Sequence, residues 1–228
     1  FCSYSKPMSP PTRVASVDLL RGVCLLGILI MNIQSFAMPH AAYLNPTLFG
    51  SLDGADGLAW ALGRLGFDCK FLNLFSMLFG ASLILAGDHT RPVRRLLWLV
   101  VLGLAHAYLV WYGDVLFTYG VVGLAVFGAR RWGAARLVGV GLALLLASPI
   151  AAGLLGLLSD PLPAWLAQAL GEHLDARSVA PELAAYQGGW LAQTPIRAAL
   201  SFEAQTTGLL LETGWRAAGC MLIGMAAV

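Results

Sequence analysis

One histidine, His106, stands in the run LLWLVVLGLAHAYLVWYGDVLFTYGVVGL, and no charged residue lies within seven positions of it on either side. Asp114 follows eight residues later, just after the short polar turn Tyr112-Gly113. An ionisable group in so apolar a run pairs, lines a cavity or does chemistry. Apolar surroundings favour the neutral imidazole, which can take a proton from a hydroxyl or an amine as a general base. A carboxylate folded back onto the ring by the turn would orient it and stabilise its protonated form. The same residues also suit a plainer arrangement, with His106 in a helix–helix hydrogen bond and Asp114 capping the next helix.

The elements that must position this pair are membrane helices. Of the 228 residues, 58% are hydrophobic and only 11% are charged, against about 25% charged in an ordinary soluble domain. The mean hydropathy is +0.75. The apolar blocks are continuous rather than alternating, which selects an all-α, polytopic transmembrane bundle over a β-barrel. About six spans are expected, over residues 17–38, 67–86, 96–112, 115–128, 137–158 and 205–228. The fourth is short, and Pro149 predicts a kink in the fifth. Residues 1–12, rich in Ser and Pro, read as a disordered leader ahead of one helical domain, 13–228. Residues 39–66 read as a loop with LAWALGRLG as a short interfacial helix. Residues 159–203 read as an extracytoplasmic insertion whose pieces AWLAQALGEHL and PELAAYQGGWLAQ lie flat on the membrane.

Charge sets the orientation. With a cytoplasmic N-terminus and six alternating helices, nine of the 14 Lys and Arg fall inside, and the bias is clearest in the short loops RPVRR and ARRWGAAR. His106 then lies roughly 10 Å below the outer face at 1.5 Å per residue, while Asp114, His40 and the 159–203 insertion face outward. The basic inner loops would attract an anionic lipid or a CoA nucleotide. A net charge of +2 gives no case for a nucleic-acid partner. The four cysteines are scattered, without metal-ligand spacing or a disulfide framework, and no phosphate-binding or hydrolase motif is present.

Other polar residues are candidates for binding. Asp18 and Arg21, three apart in SVDLLRG, share a helix face and can pair near the inner interface. Lys70 and Asn73 share a face at the mouth of the second span; Lys70 suits snorkelling as well as a cavity. Tyr119, with Tyr108 and Tyr112, flanks the Asp114 turn, where an aromatic belt is also expected. Glu212 and Arg216 are four apart in the stabilising order. The abundant glycines suit close helix packing. His89 and His173 carry no assigned chemistry.

Four separated stretches in order, SVDLLRGVCLLGILIMNIQSFAMPHAAYLNP, KFLNLFSMLFGAS, LGLAHAYLVWYGDVLFTYGVVGL and GWRAAGCMLIGMAAV, resemble the YeiB-like family of bacterial inner-membrane proteins, a domain of unknown function. The resemblance covers about residues 13–228 and implies a longer protein of which this chain is the N-terminal part. SVDLLRG is also similar to the start of heparan-α-glucosaminide N-acetyltransferase, which implies a transmembrane acyltransferase. Acyl-CoA would then be the cytosolic donor, with no bound cofactor or metal. The partners would be the lipid bilayer, a glycan or lipid acceptor and, as an open option, a second copy of the chain. That enzyme uses a histidine in the loop after its first helix, where His40 stands here. His106, Asp114 and Lys70 fall instead in the stretches that carry the YeiB-like resemblance, so His106 is the preferred base. The competing expectation is a proton-coupled transporter or lipid-binding membrane protein.

Overall fold

The computed structural model describes residues 15–85, 92–158 and 179–228, and among them every regular element is helical. The leader, most of the GDHTRPVRR loop, and the AWLAQALGEHL piece with His173 lie outside the described residues.

Helix α1 (Ala15–Ala37) is 23 residues long, about 34 Å at 1.5 Å per residue and enough to cross a hydrocarbon core of about 30 Å. Asp18 in its first turn suits the positive helix end and pairs with Arg21 at 3.1 Å. Most of α1 is exposed, Leu19, Leu26 and Ile33 included, and only Cys24 and Gly27 are buried. Such a surface suits lipid, where apolar exposure costs nothing.

The expected loop at 39–66 is more structured than a loop. It holds α2 (His40–Leu44), a 3₁₀ turn at Pro46–Leu48 and a twelve-residue α3 (Ala55–Gly66). Arg64 binds the Asp68 carboxylate and the Tyr43 carbonyl, tying these pieces together. The chain breaks at 67–69, with Cys69 held at φ +60°, before α4 (Lys70–Leu85). The second apolar helix therefore begins at Lys70, leaving Asp68 in the break.

Helices α5 (Pro92–Leu109) and α6 (Leu116–Val126) form a hairpin. A 3₁₀ turn (Phe127–Arg131) leads to α7 (Ala134–Leu158), with Pro149 inside it. Arg130 and Arg136 lie over the rings of Phe127 and Trp132, each at 4.0 Å. After the undescribed stretch come α8 (Val179–Gln187), α9 (Trp190–Glu203), a ten-residue π-helix (Ala204–Thr213) and α10 (Gly214–Ala226). The expected flat piece PELAAYQGGWLAQ is two helices broken at 188–189.

The core forms where α10 packs between α4 and α7. Leu83, Leu96, Tyr119, Val122, Met221 and Leu222 are buried together there. Backbones touch because side chains are missing: a Cβ on Gly80 would strike the Met221 carbonyl, and one on Gly224 the Met77 carbonyl. Without a hydrophobic drive between helices in lipid, such contact is what holds a bundle.

Four described segments are long and apolar enough to cross a membrane: Ala15–Ala37, Ala55–Leu85, Pro92–Leu109 and Ala134–Ala151. The other two stretches expected as spans are less regular. Helix α6 has 11 residues, about 16 Å, and the sixth span is divided into a π-helix and the 13-residue α10.

Candidate functional site

His106 occupies the last turn of α5, whose end is marked by its own carbonyl accepting from both Val110 N at 2.8 Å and Trp111 N at 3.0 Å. The chain then reverses through 111–115 and returns Asp114 to the histidine. His106 Nδ1 and Asp114 Oδ1 are 3.0 Å apart. The other carboxylate oxygen accepts the Phe117 amide at 2.7 Å, capping α6. Both sequence readings of Asp114 therefore hold at once, one per oxygen. Gly103 makes room for this: a Cβ there would meet the Phe117 backbone and the Asp114 carboxylate.

The Asp114 side chain is only 2% exposed and the His106 side chain 36% exposed. The inner member of the pair is thus the carboxylate, and the outer one is the ring. With Nδ1 facing the carboxylate, Nε2 is left without a hydrogen bond among the described residues. An imidazole held on one nitrogen and open on the other is the geometry of a general base.

Asp114 also borders a small cavity of about 70 Å³ between α4, α6 and the π-helix–α10 junction, whose lining includes Asn73, Ser76, Thr118, Tyr119, Thr213 and Arg216. Two of the expected binding residues, Asn73 and Tyr119, therefore meet Asp114 here. Tyr119 is buried, its hydroxyl 2.7 Å from Ser76 Oγ and 3.2 Å from the Leu72 carbonyl, to which it donates. Its size suits a water rather than a substrate-sized molecule.

Arg216 was expected only as the partner of Glu212, which it meets at 3.3 Å. It also donates to Cys69 Sγ at 3.4 Å, beside the strained break before α4. A cation in the terminal apolar run was the available signal for it.

The remaining candidates lie elsewhere. Asp18 and Arg21 pair with each other, and Arg21 donates to the Leu78 carbonyl at 3.2 Å, bracing α1 on α4. Lys70 is exposed and reaches the Arg64 carbonyl at 3.5 Å. His40 begins α2, and its ring meets Tyr112 edge-on at 5.3 Å. Its backbone amide donates to both oxygens of Glu182 at 3.0 Å. Glu182 is 7% exposed, and burial pushes its carboxyl above the ordinary value, although the His40 amide pulls the other way. Glu182, Ser35, Tyr112 and Tyr186 line a second small cavity of about 80 Å³. Glu182 was passed over in the sequence because PELAAYQ reads as part of an amphipathic helix lying flat on the membrane.

Helix α9 secures the end of α5 above the pair. Ser201 Oγ donates to the Ala107 carbonyl at 2.9 Å, Arg197 Nε to Tyr108 at 2.8 Å, and Trp190 Nε1 to Leu109 at 2.8 Å. Three consecutive carbonyls that a helix end leaves unsatisfied are thereby satisfied. Arg197 also puts a cation at the negative helix end. No group of three or more His, Cys, Asp or Glu among the described residues could hold a metal ion, and the three described cysteines are free thiols.

Fold and site together define a helical membrane protein with a carboxylate–imidazole pair at a helix hairpin. The chain is 36% identical over 225 residues to the uncharacterized protein YeiB of Escherichia coli (strain K12), covering 94% of this chain and 55% of that protein. It is 29% identical over 142 residues to the uncharacterized protein YxaH of Bacillus subtilis (strain 168), covering 57% of this chain and 35% of that one. The chain is a homologue of YeiB and a relative of YxaH. It spans about half the length of YeiB. No family model and no solved structure matches it.

Proposed function

We propose that this chain belongs to an acyltransferase of the bacterial inner membrane, with a cytoplasmic N-terminus, that moves an acyl group from cytosolic acyl-CoA to a glycan or lipid acceptor on the other side. The observation that carries this reading is the His106–Asp114 pair, with a buried carboxylate on Nδ1 and an open Nε2. His106 Nε2 takes the proton from an acceptor hydroxyl or amine as its oxygen or nitrogen attacks the thioester carbonyl. The carbon–sulfur bond breaks, and the CoA thiolate leaves and takes up the proton from the imidazolium. Asp114 holds the ring and stabilises its charged form. Asn73, Tyr119 and Arg216 supply polar groups beside the carboxylate. His40, near the same turn through Tyr112, is the second candidate base.

The test uses the purified full-length protein in liposomes, with acetyl-CoA binding followed by calorimetry and free CoA followed by thiol release. Removal of a general base costs 10²- to 10⁴-fold, so His106→Ala is expected to lose CoA release on that scale. Unchanged turnover in that variant would remove His106 from the role, and no binding of any acyl-CoA would remove the acyltransferase reading.

One observation favours a second reading. The small cavity that both Asp114 and Arg216 line lies at the end of a π-helix, and such helices recur at functional sites. Intramembrane acid–base groups also serve proton-coupled transport. Proton-dependent solute uptake by liposomes, without CoA binding, would favour a transporter.

A further inference from the structure

A cavity of about 330 Å³ lies between the end of α4 and the start of α5, away from the His106–Asp114 pair. Its wall is apolar, built from Phe79, Leu83, Leu96, Leu99 and Leu102, with Trp98 at the side. Among the described residues Arg95 is the one charged residue on it, and it makes no hydrogen bond or ion pair with them. The volume falls at the lower end of the range of ligand pockets. The cavity is continuous with the exposed stripe Leu97, Trp98, Val101 and Leu102 on α5, a helix long and apolar enough to span a membrane. An opening on such a face suits lipid.

We infer that the cavity holds one acyl chain of an anionic phospholipid, with the lipid phosphate against Arg95. An aliphatic chain suits the leucine wall, and an anion suits a guanidinium that has no acidic partner among the described residues. Arg94, exposed beside Arg95, adds to the same field. A neutral lipid would fill the wall equally well but would gain nothing from the arginine. This site is independent of the acyl-transfer reading.

The experiment places the full chain, one copy per nanodisc, in phosphatidylcholine that carries brominated-chain phosphatidylglycerol or, at the same mole fraction, brominated-chain phosphatidylcholine. Bromine quenches nearby tryptophan. The emission of Trp98 is isolated as the difference between the parent protein and Trp98→Phe. A single basic residue near an anionic headgroup is expected to favour the anionic lipid by about fivefold, and Arg95→Gln is expected to abolish that preference. Arg95 is exposed, so this variant should keep the parent's thermal midpoint in phosphatidylcholine alone, which separates a lost site from a lost fold. Equal quenching by the two lipids, or an unchanged preference in Arg95→Gln, overturns the inference. So does an absence of Trp98 quenching by either lipid, since protein from a second copy or another part of the chain would then cover the cavity.

Discussion

Arg197 and Tyr108 are joined by a 2.8 Å hydrogen bond from the guanidinium Nε to the backbone carbonyl, two residues past His106. The arginine is 1% exposed. It also donates to Thr194 Oγ1 at 3.2 Å and lies 5.0 Å from the Trp190 ring. A buried charge placed on a helix end fixes where that helix stops, and here the stop is the turn that carries Asp114.

Arg197→Ala should therefore destabilise the protein by about 1–3 kcal/mol, the cost of losing a hydrogen bond from a charged donor and leaving a buried carbonyl unsatisfied. Ser201→Ala, which removes a neutral donor from the neighbouring carbonyl, should cost about 1 kcal/mol. Unfolding midpoints in one detergent check both. Equal stability of Arg197→Ala and the parent would show that α9 does not hold the end of α5.

Asp114 serves two donors, and two substitutions separate its duties. Asparagine caps a helix about as well as aspartate, so Asp114→Asn should unfold close to the parent while losing His106-dependent CoA release. Asp114→Ala should lose the cap as well, at a further cost of about 0.5–2 kcal/mol. Full turnover in Asp114→Asn would mean that the carboxylate charge plays no part in the chemistry.

Gly103→Ala should be the most damaging single methyl group near the site. The added Cβ meets the Phe117 backbone and the Asp114 carboxylate together, and overpacking of this kind costs about 1–3 kcal/mol. Gly128 has open space around it, so Gly128→Ala is the matched control and should be close to neutral. Comparing their melting curves tests whether α5 and α6 meet through Gly103.

Glu182 predicts a pH dependence. Burial raises its carboxyl above the ordinary value, so the folded state favours the protonated form. That contribution is complete below about pH 4.3, the unfolded glutamate value. It is lost as pH rises through the raised folded value and a charge forms in the buried site. Glu182→Gln keeps an acceptor for the His40 amide and cannot ionise. It should therefore stabilise the protein at neutral pH and do so progressively less towards pH 4. Melting midpoints across that range, parent against variant, give the sign directly.

Much of this arrangement was legible before the fold was known, and the unread part shares one cause. His106 and Asp114 stand out because an ionisable residue in an apolar run has few inexpensive placements, and a tight turn between them limits those further. Asp18 with Arg21 and Glu212 with Arg216 were readable because helical spacing alone brings them together. Arg197 with Tyr108 and Glu182 with His40 are long-range pairs, 89 and 142 residues apart, and no local pattern announces them. The course of two expected spans went unread for a different reason. Hydropathy records apolar length and does not see that residues 204–213 take a π-helical path or that α6 stops after 11 residues.

The π-helix at Ala204–Thr213 sets the angular phase between α9, fastened to the end of α5, and α10, embedded in the core. Each residue of an α-helix turns the chain by about 100°. Deleting a single residue from the segment would swing α10 by about that angle relative to α9, taking Arg216 from its cavity and Met221 from the core in one movement. The number of residues in this segment therefore matters more than their identity. A side chain such as Leu210, exposed on its surface, can vary among apolar types, whereas insertions and deletions are not tolerated.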